Sequence, residues 1–169
     1  AGEFIEPVQL QVVCYQLWET LQAENHSGES QREITTQDLT RLAKGADLAQ
    51  FVNQSLADFY EKGIAKVMQT PGLGVSESQL RDWFSTRLIT EAETRAFVYQ
   101  GEEQTAGLAN AAVNLLAAQH IIRSEIRAGG VWIELVHDRL INPILQSNRL
   151  WQRDRLKPLT QAAEATAKN

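Results

Sequence analysis

His137 and Asp138 stand side by side where an apolar run stops. An imidazole can donate or accept a hydrogen bond near neutral pH. A carboxylate at a helix start can accept an orphan backbone N–H. The runs before them, Ile121 to Arg127 and Val131 to Val136, are rich in β-branched and apolar residues, so they read as two strands of one hairpin. Gly129-Gly130 is expected to form the turn, because two glycines allow positive φ at both central positions. Asp138 is expected as the N-cap of a helix reaching about Arg155, distorted near Pro143. The sequence therefore places a histidine where a strand ends and a helix begins, beside backbone groups that a ligand can reach.

No other constellation of this kind stands out. His26 lies in a polar stretch and His120 at a helix end, and neither has neighbours at metal-ligand spacing. Consecutive side chains such as His137 and Asp138 usually point apart, so they do not make a nucleophile–base pair. Pro71, Gly72 and Gly74 make a turn-rich stretch, but no Gly-x-x-x-x-Gly-Lys-[Ser/Thr] occurs in the chain, so no phosphate loop is available. The expectation is a chain with no catalytic residues and no metal of its own.

The elements that must position His137 follow from periodicity. Pro7 to Leu21 predicts a first helix, with Pro7 in its first turn. Residues 22–33 are polar and read as a loop. Thr36 is expected to cap a short helix over Gln37–Lys44, ended by Gly45. A longer amphipathic helix follows from Leu48 to Met68, in which Gly63 is expected to cost up to about 1 kcal/mol relative to Ala. Residues 70–75 are the best break in the chain. Ser76 followed by Gln79 has the capping-box pattern for a helix burying Leu80, Trp83, Phe84 and Leu88. Thr94–Gln100 reads as a short strand, Gly101–Gly107 as a polar loop and Leu108–Gln119 as an Ala-rich helix. Trp132, Leu135, Leu140 and Ile144 are expected in the core, and Arg123, Arg127 and Arg139 in solvent.

Helix, strand, helix, hairpin, helix is the order of a winged helix-turn-helix domain. The chain is thus expected to be mainly α: a helical domain over 5–70, then a winged-helix domain over 76–155 with a small β-hairpin wing. Residues 156–169 form a tail or linker, and Ala1-Gly2-Glu3-Phe4 reads as a cloning scar on a piece of a longer protein. A winged helix often reads DNA with its second helix in the major groove. Here Leu108–Gln119 has no Lys or Arg, offering only Asn110, Asn114 and Gln119, and the net charge is −5. Binding led by neutralised phosphates is disfavoured. Apolar runs are too short to span a bilayer. The single cysteine, Cys14, rules out an intramolecular disulfide, fits a reducing, cytoplasmic setting and is expected to be a small buried hydrophobe.

Two blocks of sequence carry a resemblance. The first is Glu6-Pro7-Val8-Gln9-Leu10-Gln11-Val12-Val13-Cys14 with Leu17-Trp18. The second is Ile122-Arg123-Ser124-Glu125, Trp132-Ile133-Glu134-Leu135-Val136-His137-Asp138-Arg139-Leu140, Pro143-Ile144 and Asn148. Together they resemble the region that follows the nucleotide-binding core in bacterial STAND NTPases of the WD-repeat-associated branch. The resemblance implies a regulatory region C-terminal to the nucleotide-binding domain of a signal-transduction ATPase. ADP or ATP with Mg would be held by the full-length protein, and no cofactor by this region itself. Partners would be the nucleotide-binding and sensor domains of the same chain, with homo-oligomerisation on activation and neither membrane nor DNA. Val136-His137-Asp138 is similar to the family's Met-His-Asp motif, with Val in place of Met. The implied role of His137 is to contact the β-phosphate of ADP in the closed state, with Asp138 fixing the helix start. The alternative is a winged-helix module that binds nucleic acid or protein.

Overall fold

The computed structural model describes the backbone over 48–167 and at positions 7, 10, 11, 13–15, 18 and 35–37, with side chains at those ten positions and over 49–156. The described residues divide into two compact units, 1–59 and 60–169. In the first, Pro7, Leu10, Gln11, Val13, Cys14, Tyr15 and Trp18 are helical. Val13 is buried, while Leu10, Tyr15, Trp18 and Cys14 are exposed. The expectation of a buried thiol is therefore corrected. Thr36, expected as a cap, is itself helical, with Thr35 outside the helix. The expected loop over 22–33 with His26, and most of the helix over 37–44, lie outside the described residues.

Helix α1 (Leu48–Gln69) crosses the boundary between the units. Its buried stripe is Leu56, Tyr60, Ile64 and Val67, at the three- and four-residue steps that keep side chains on one helix face. It stops where Thr70 bonds back to Val67 O and Pro71-Gly72 turns the chain.

The second unit is mostly helical with a small antiparallel sheet. Helix α2 (Glu77–Trp83) continues as a π-helical turn over Phe84–Leu88. Its N-cap is Ser76, whose Oγ accepts from Gln79 N at 3.1 Å. The Gln79 amide bonds Gly107 O instead of returning to Ser76, so only half of the capping box forms. Leu80, Trp83, Phe84 and Leu88 are buried as expected, with Phe84 edge-on to both Tyr60 and Trp83.

Strand β1 (Val98–Tyr99) follows, shorter than the segment predicted. The expected polar loop over 101–107 instead contains β2 (Gln104–Thr105), paired with β3 (Leu108–Ala109) through a turn at Ala106-Gly107. Helix α3 accordingly starts at Asn110 and ends at Ala118. Its end is a Schellman motif: His120 N bonds Ala117 O and Ile121 N bonds Leu116 O. His120, at φ 58°, occupies the left-handed position usually given to glycine.

Strands β4 (Ile122–Arg127) and β5 (Gly130–Leu135) form the expected hairpin, and β1 pairs with the other edge of β5, giving the order β1-β5-β4. The turn is Ala128-Gly129, at φ 50° and 78°, and not Gly129-Gly130. Gly130 already pairs with Arg127 in the ladder. It is needed for another reason: a Cβ there would lie 2.7 Å from the Tyr99 ring. Period-two alternation puts Arg123, Glu125, Arg127, Trp132, Glu134 and Tyr99 on one face. The other face supplies Ile122, Ile133 and Leu135 to the core. Trp132, expected in the core, is only half-buried and meets Tyr99 edge-on across the strands. Leu135, Leu140 and Ile144 are fully buried as expected.

After β5 comes a single 3-10 turn, Asp138–Leu140, and then α4 (Ile141–Ala167). Pro143 falls in the first turn of α4, where backbone N–H groups lack helical partners anyway. It therefore causes none of the expected distortion, and the helix continues well past Arg155.

Candidate functional site: the junction of strand and helix at His137

The site is built by the end of β5. Val136 N bonds Ile121 O at 3.1 Å, the last rung beyond the hairpin ladder. His137 is still extended, at φ −153° and ψ 145°, and the next residue enters the 3-10 turn. His137 O accepts from Leu140 N at 3.2 Å, and its Nδ1 accepts from Arg139 N at 3.1 Å. The N-cap is thus His137, not Asp138. His137 is half-buried. Because Nδ1 is the acceptor, the proton of the neutral ring sits on Nε2, which is a donor.

Asp138 was expected to cap because a short carboxylate at a helix start is a preferred acceptor. Its carboxylate is instead ion-paired with the Arg95 guanidinium. Arg95 lies just before β1, where it bridges Ile89 in the backbone ladder. Its Nη1 also donates to Glu134 Oε2 at 3.2 Å and to Leu135 O at 3.3 Å. Glu134 is fully buried. Its other oxygen takes Arg123 Nε at 2.7 Å and Nη2 at 2.6 Å. A buried carboxylate needs such pairing to offset its desolvation. Two arginines, two carboxylates and the His137 cap therefore form one connected cluster around the end of β5. Arg123, expected in solvent, is half exposed and holds Glu134. Arg127, also expected in solvent, is exposed but lies 4.1 Å from the centre of the Phe97 ring and pairs with Glu125. That bond to Arg127 outweighs desolvation and holds the Glu125 carboxyl below its ordinary range.

The sequence missed Arg95 and Glu134. A lone carboxylate inside Trp-Ile-Glu-Leu, on a strand otherwise apolar, is the one available signal, since it demands a cation. Which arginine answers it is fixed only by the fold.

A second polar cluster, also missed, ties α1, α2 and α4 together. Arg81 has a side chain only 4% exposed. Its Nη1 and Nη2 fork onto both Glu61 oxygens at 2.8 and 2.6 Å, and its Nε reaches Glu77 at 2.8 Å. Nη1 also donates to Asn148 Oδ1 at 3.1 Å, which accepts from Tyr60 OH at 3.0 Å as well. Asn148 Nδ2 in turn donates to Arg81 O and Ser85 Oγ, and Ser147 donates to Glu61. Burial pushes the Tyr60 hydroxyl far above its ordinary value. For Glu61, burial works upward, but the bonds from Arg81 and Ser147 win and hold the carboxyl below its ordinary range. For Arg81, burial works downward and is outweighed by the bonds to Glu61 and Glu77.

Two of the three amides that a major-groove reader would use are occupied. Asn110 Oδ1 accepts from Thr105 Oγ1, and its Nδ2 donates to Gly101 O and Glu102 O. Gln119 bonds Leu115 O. Of the three amides in question, Asn114 is the exposed one. No group of three metal-ligating side chains comes together among the described residues, and no helix there is long and apolar enough to cross a membrane. Comparisons with family models, with curated proteins and with solved structures find no match.

Proposed function

We propose that residues 76–155 form a winged helix, with the β4–β5 hairpin as its wing. On this reading the chain is the regulatory region of a STAND-type signalling ATPase. It couples the ADP or ATP state of a nucleotide-binding domain in the same protein to domain rearrangement and oligomerisation. The observation that carries this is His137: a half-buried residue at a strand-to-helix junction whose Nδ1 caps the turn, so that the neutral ring carries its proton on Nε2. An N–H donor so placed suits a phosphate oxygen, and the contact strengthens when the acceptor is charged. Such a contact shifts a switch only if it is made in one state and lost in the other. His137 would make it with ADP in the closed state, and Asp138, held by Arg95, would fix the turn behind it. The α2-to-wing order of elements and the sheet order β1-β5-β4 also support the winged-helix assignment.

The chain supplies no phosphate loop, so hydrolysis belongs to the nucleotide-binding domain. The test is ADP retention by a protein that joins that domain to this chain. His137→Ala is expected to lower affinity for ADP while leaving ATP affinity nearly unchanged. Equal losses for both nucleotides would mean that His137 is not a state-specific contact.

A further inference from the structure

We infer that Arg95 is a positioning residue that sets the tautomer of His137 by withholding Asp138 from the helix cap. At this junction two side chains compete for one job. Asp138 stands at the start of a helical turn, where a carboxylate is a strong acceptor for backbone N–H groups. His137 precedes it and can also accept, through Nδ1. The outcome is decided by a third residue from outside the junction. Arg95 engages the Asp138 carboxylate while its Nη1 is anchored on Glu134 Oε2 and Leu135 O. With Asp138 held there, the cap falls to His137 Nδ1, which accepts from Arg139 N at 3.1 Å. An Nδ1 committed as acceptor leaves the neutral ring's proton on Nε2. Arg95 thus decides, through Asp138, which ring nitrogen donates.

The anchor is held on several sides. Glu134 is fully buried and held from its other side by Arg123. The Arg95 backbone is bridged to Ile89, and the neighbouring Ala96 N bonds Leu88 O. The planar fork of an arginine can serve two carboxylates and a carbonyl at once, which a lysine cannot do with the same geometry. The role of the tautomer in phosphate contact rests on the function proposed above. The tautomer lock does not, and it is read without any nucleotide.

The experiment is nitrogen-15 NMR of the histidine side chains in the 169-residue chain, at a pH where the imidazole is neutral. The His137 signals are identified by their loss in His137→Gln. The wild-type ring is expected as a single Nε2–H tautomer. Arg95→Gln should free Asp138 to cap, and the ring nitrogens should shift toward the averaged values of a mixed population. Asp138→Ala removes the competitor and should leave the lock in place. The double variant Arg95→Gln/Asp138→Ala should restore the Nε2–H tautomer that Arg95→Gln loses. An unchanged tautomer in Arg95→Gln would overturn the inference, as would a mixed ring in Asp138→Ala or in the double variant. Because Asp138→Ala leaves Glu134 and its arginines intact, it tests the lock even if Arg95→Gln fails to fold. If the lock holds but His137→Ala leaves ADP affinity unchanged in the longer protein, the positioning stands and the phosphate reading falls.

Discussion

At the scale of single residues, three positions show how a local rule was overruled. Asp138 is the better intrinsic cap, yet an ion pair with Arg95 removes it and His137 takes its place. Nothing in His-Asp alone reveals this, because the deciding arginine lies more than forty positions earlier in the chain. Ala128 and His120 hold left-handed backbone at φ 50° and 58°, a region that costs a residue with a Cβ roughly 1–2 kcal/mol. The glycine pair misled the reading of the hairpin turn because the register, set by pairing Arg127 with Gly130, shifts the turn back by one residue. Ala128→Gly and His120→Gly are each expected to raise stability by about 1 kcal/mol, less the extra entropy glycine loses on folding. Urea midpoints would check this, and a fall in both variants would mean that the strain is absent. Neither site shares a partner with the other, so the gains should add.

At the scale of elements, the helices over 48–167 were legible from their apolar spacing, and the hairpin from two runs rich in apolar and β-branched residues either side of a glycine pair. Leu80, Trp83, Phe84 and Leu88 on α2 are the clearest case. The short β2–β3 pair was not legible, since two-residue strands carry no period and Gly101–Gly107 looks merely polar. Helix propensity alone makes Gly63 a weak point of α1, where Ala is the better residue. The structure reverses that expectation: a Cβ on Gly63 would lie 2.0 Å from Ile121 Cδ1, and Ile121 is fully buried. Gly63→Ala is therefore expected to destabilise by about 1–3 kcal/mol through overpacking. Ile121→Val removes the clashing methyl and should recover part of the loss in the double variant. Thermal or urea unfolding of the four proteins checks the coupling; a stabilised Gly63→Ala would show that helix propensity dominates at this site.

At the scale of the whole molecule, charge decides two further outcomes. Glu61 is held below its ordinary range by Arg81 and Ser147. A depressed carboxyl contributes stability that is fully present above its unfolded value, about pH 4.3, and is lost as the pH falls through the folded value. Acid unfolding should therefore steepen below about pH 4, and Arg81→Met should flatten that limb while costing about 2 kcal/mol at neutral pH through unpaired polar groups. An unchanged acid limb in Arg81→Met would show that Glu61 is not the group responsible. With a net charge of −5 and the α3 amides Asn110 and Gln119 bonded to backbone carbonyls, fluorescence anisotropy should show no tight binding to duplex DNA at low salt. Submicromolar binding that weakens steeply with salt would favour the nucleic-acid alternative. The two arginine clusters were not legible in the sequence, because each is assembled from distant segments. We propose that His137 reads the nucleotide state, and the most direct measurement is ADP affinity in a protein joining this chain to a STAND-type nucleotide-binding domain. Losing a hydrogen bond to a charged oxygen is worth roughly 1.5–3 kcal/mol, so His137→Ala is predicted to weaken ADP binding by about 10- to 100-fold with ATP binding nearly unchanged. Unaltered ADP affinity would contradict the account and leave His137 as a structural cap.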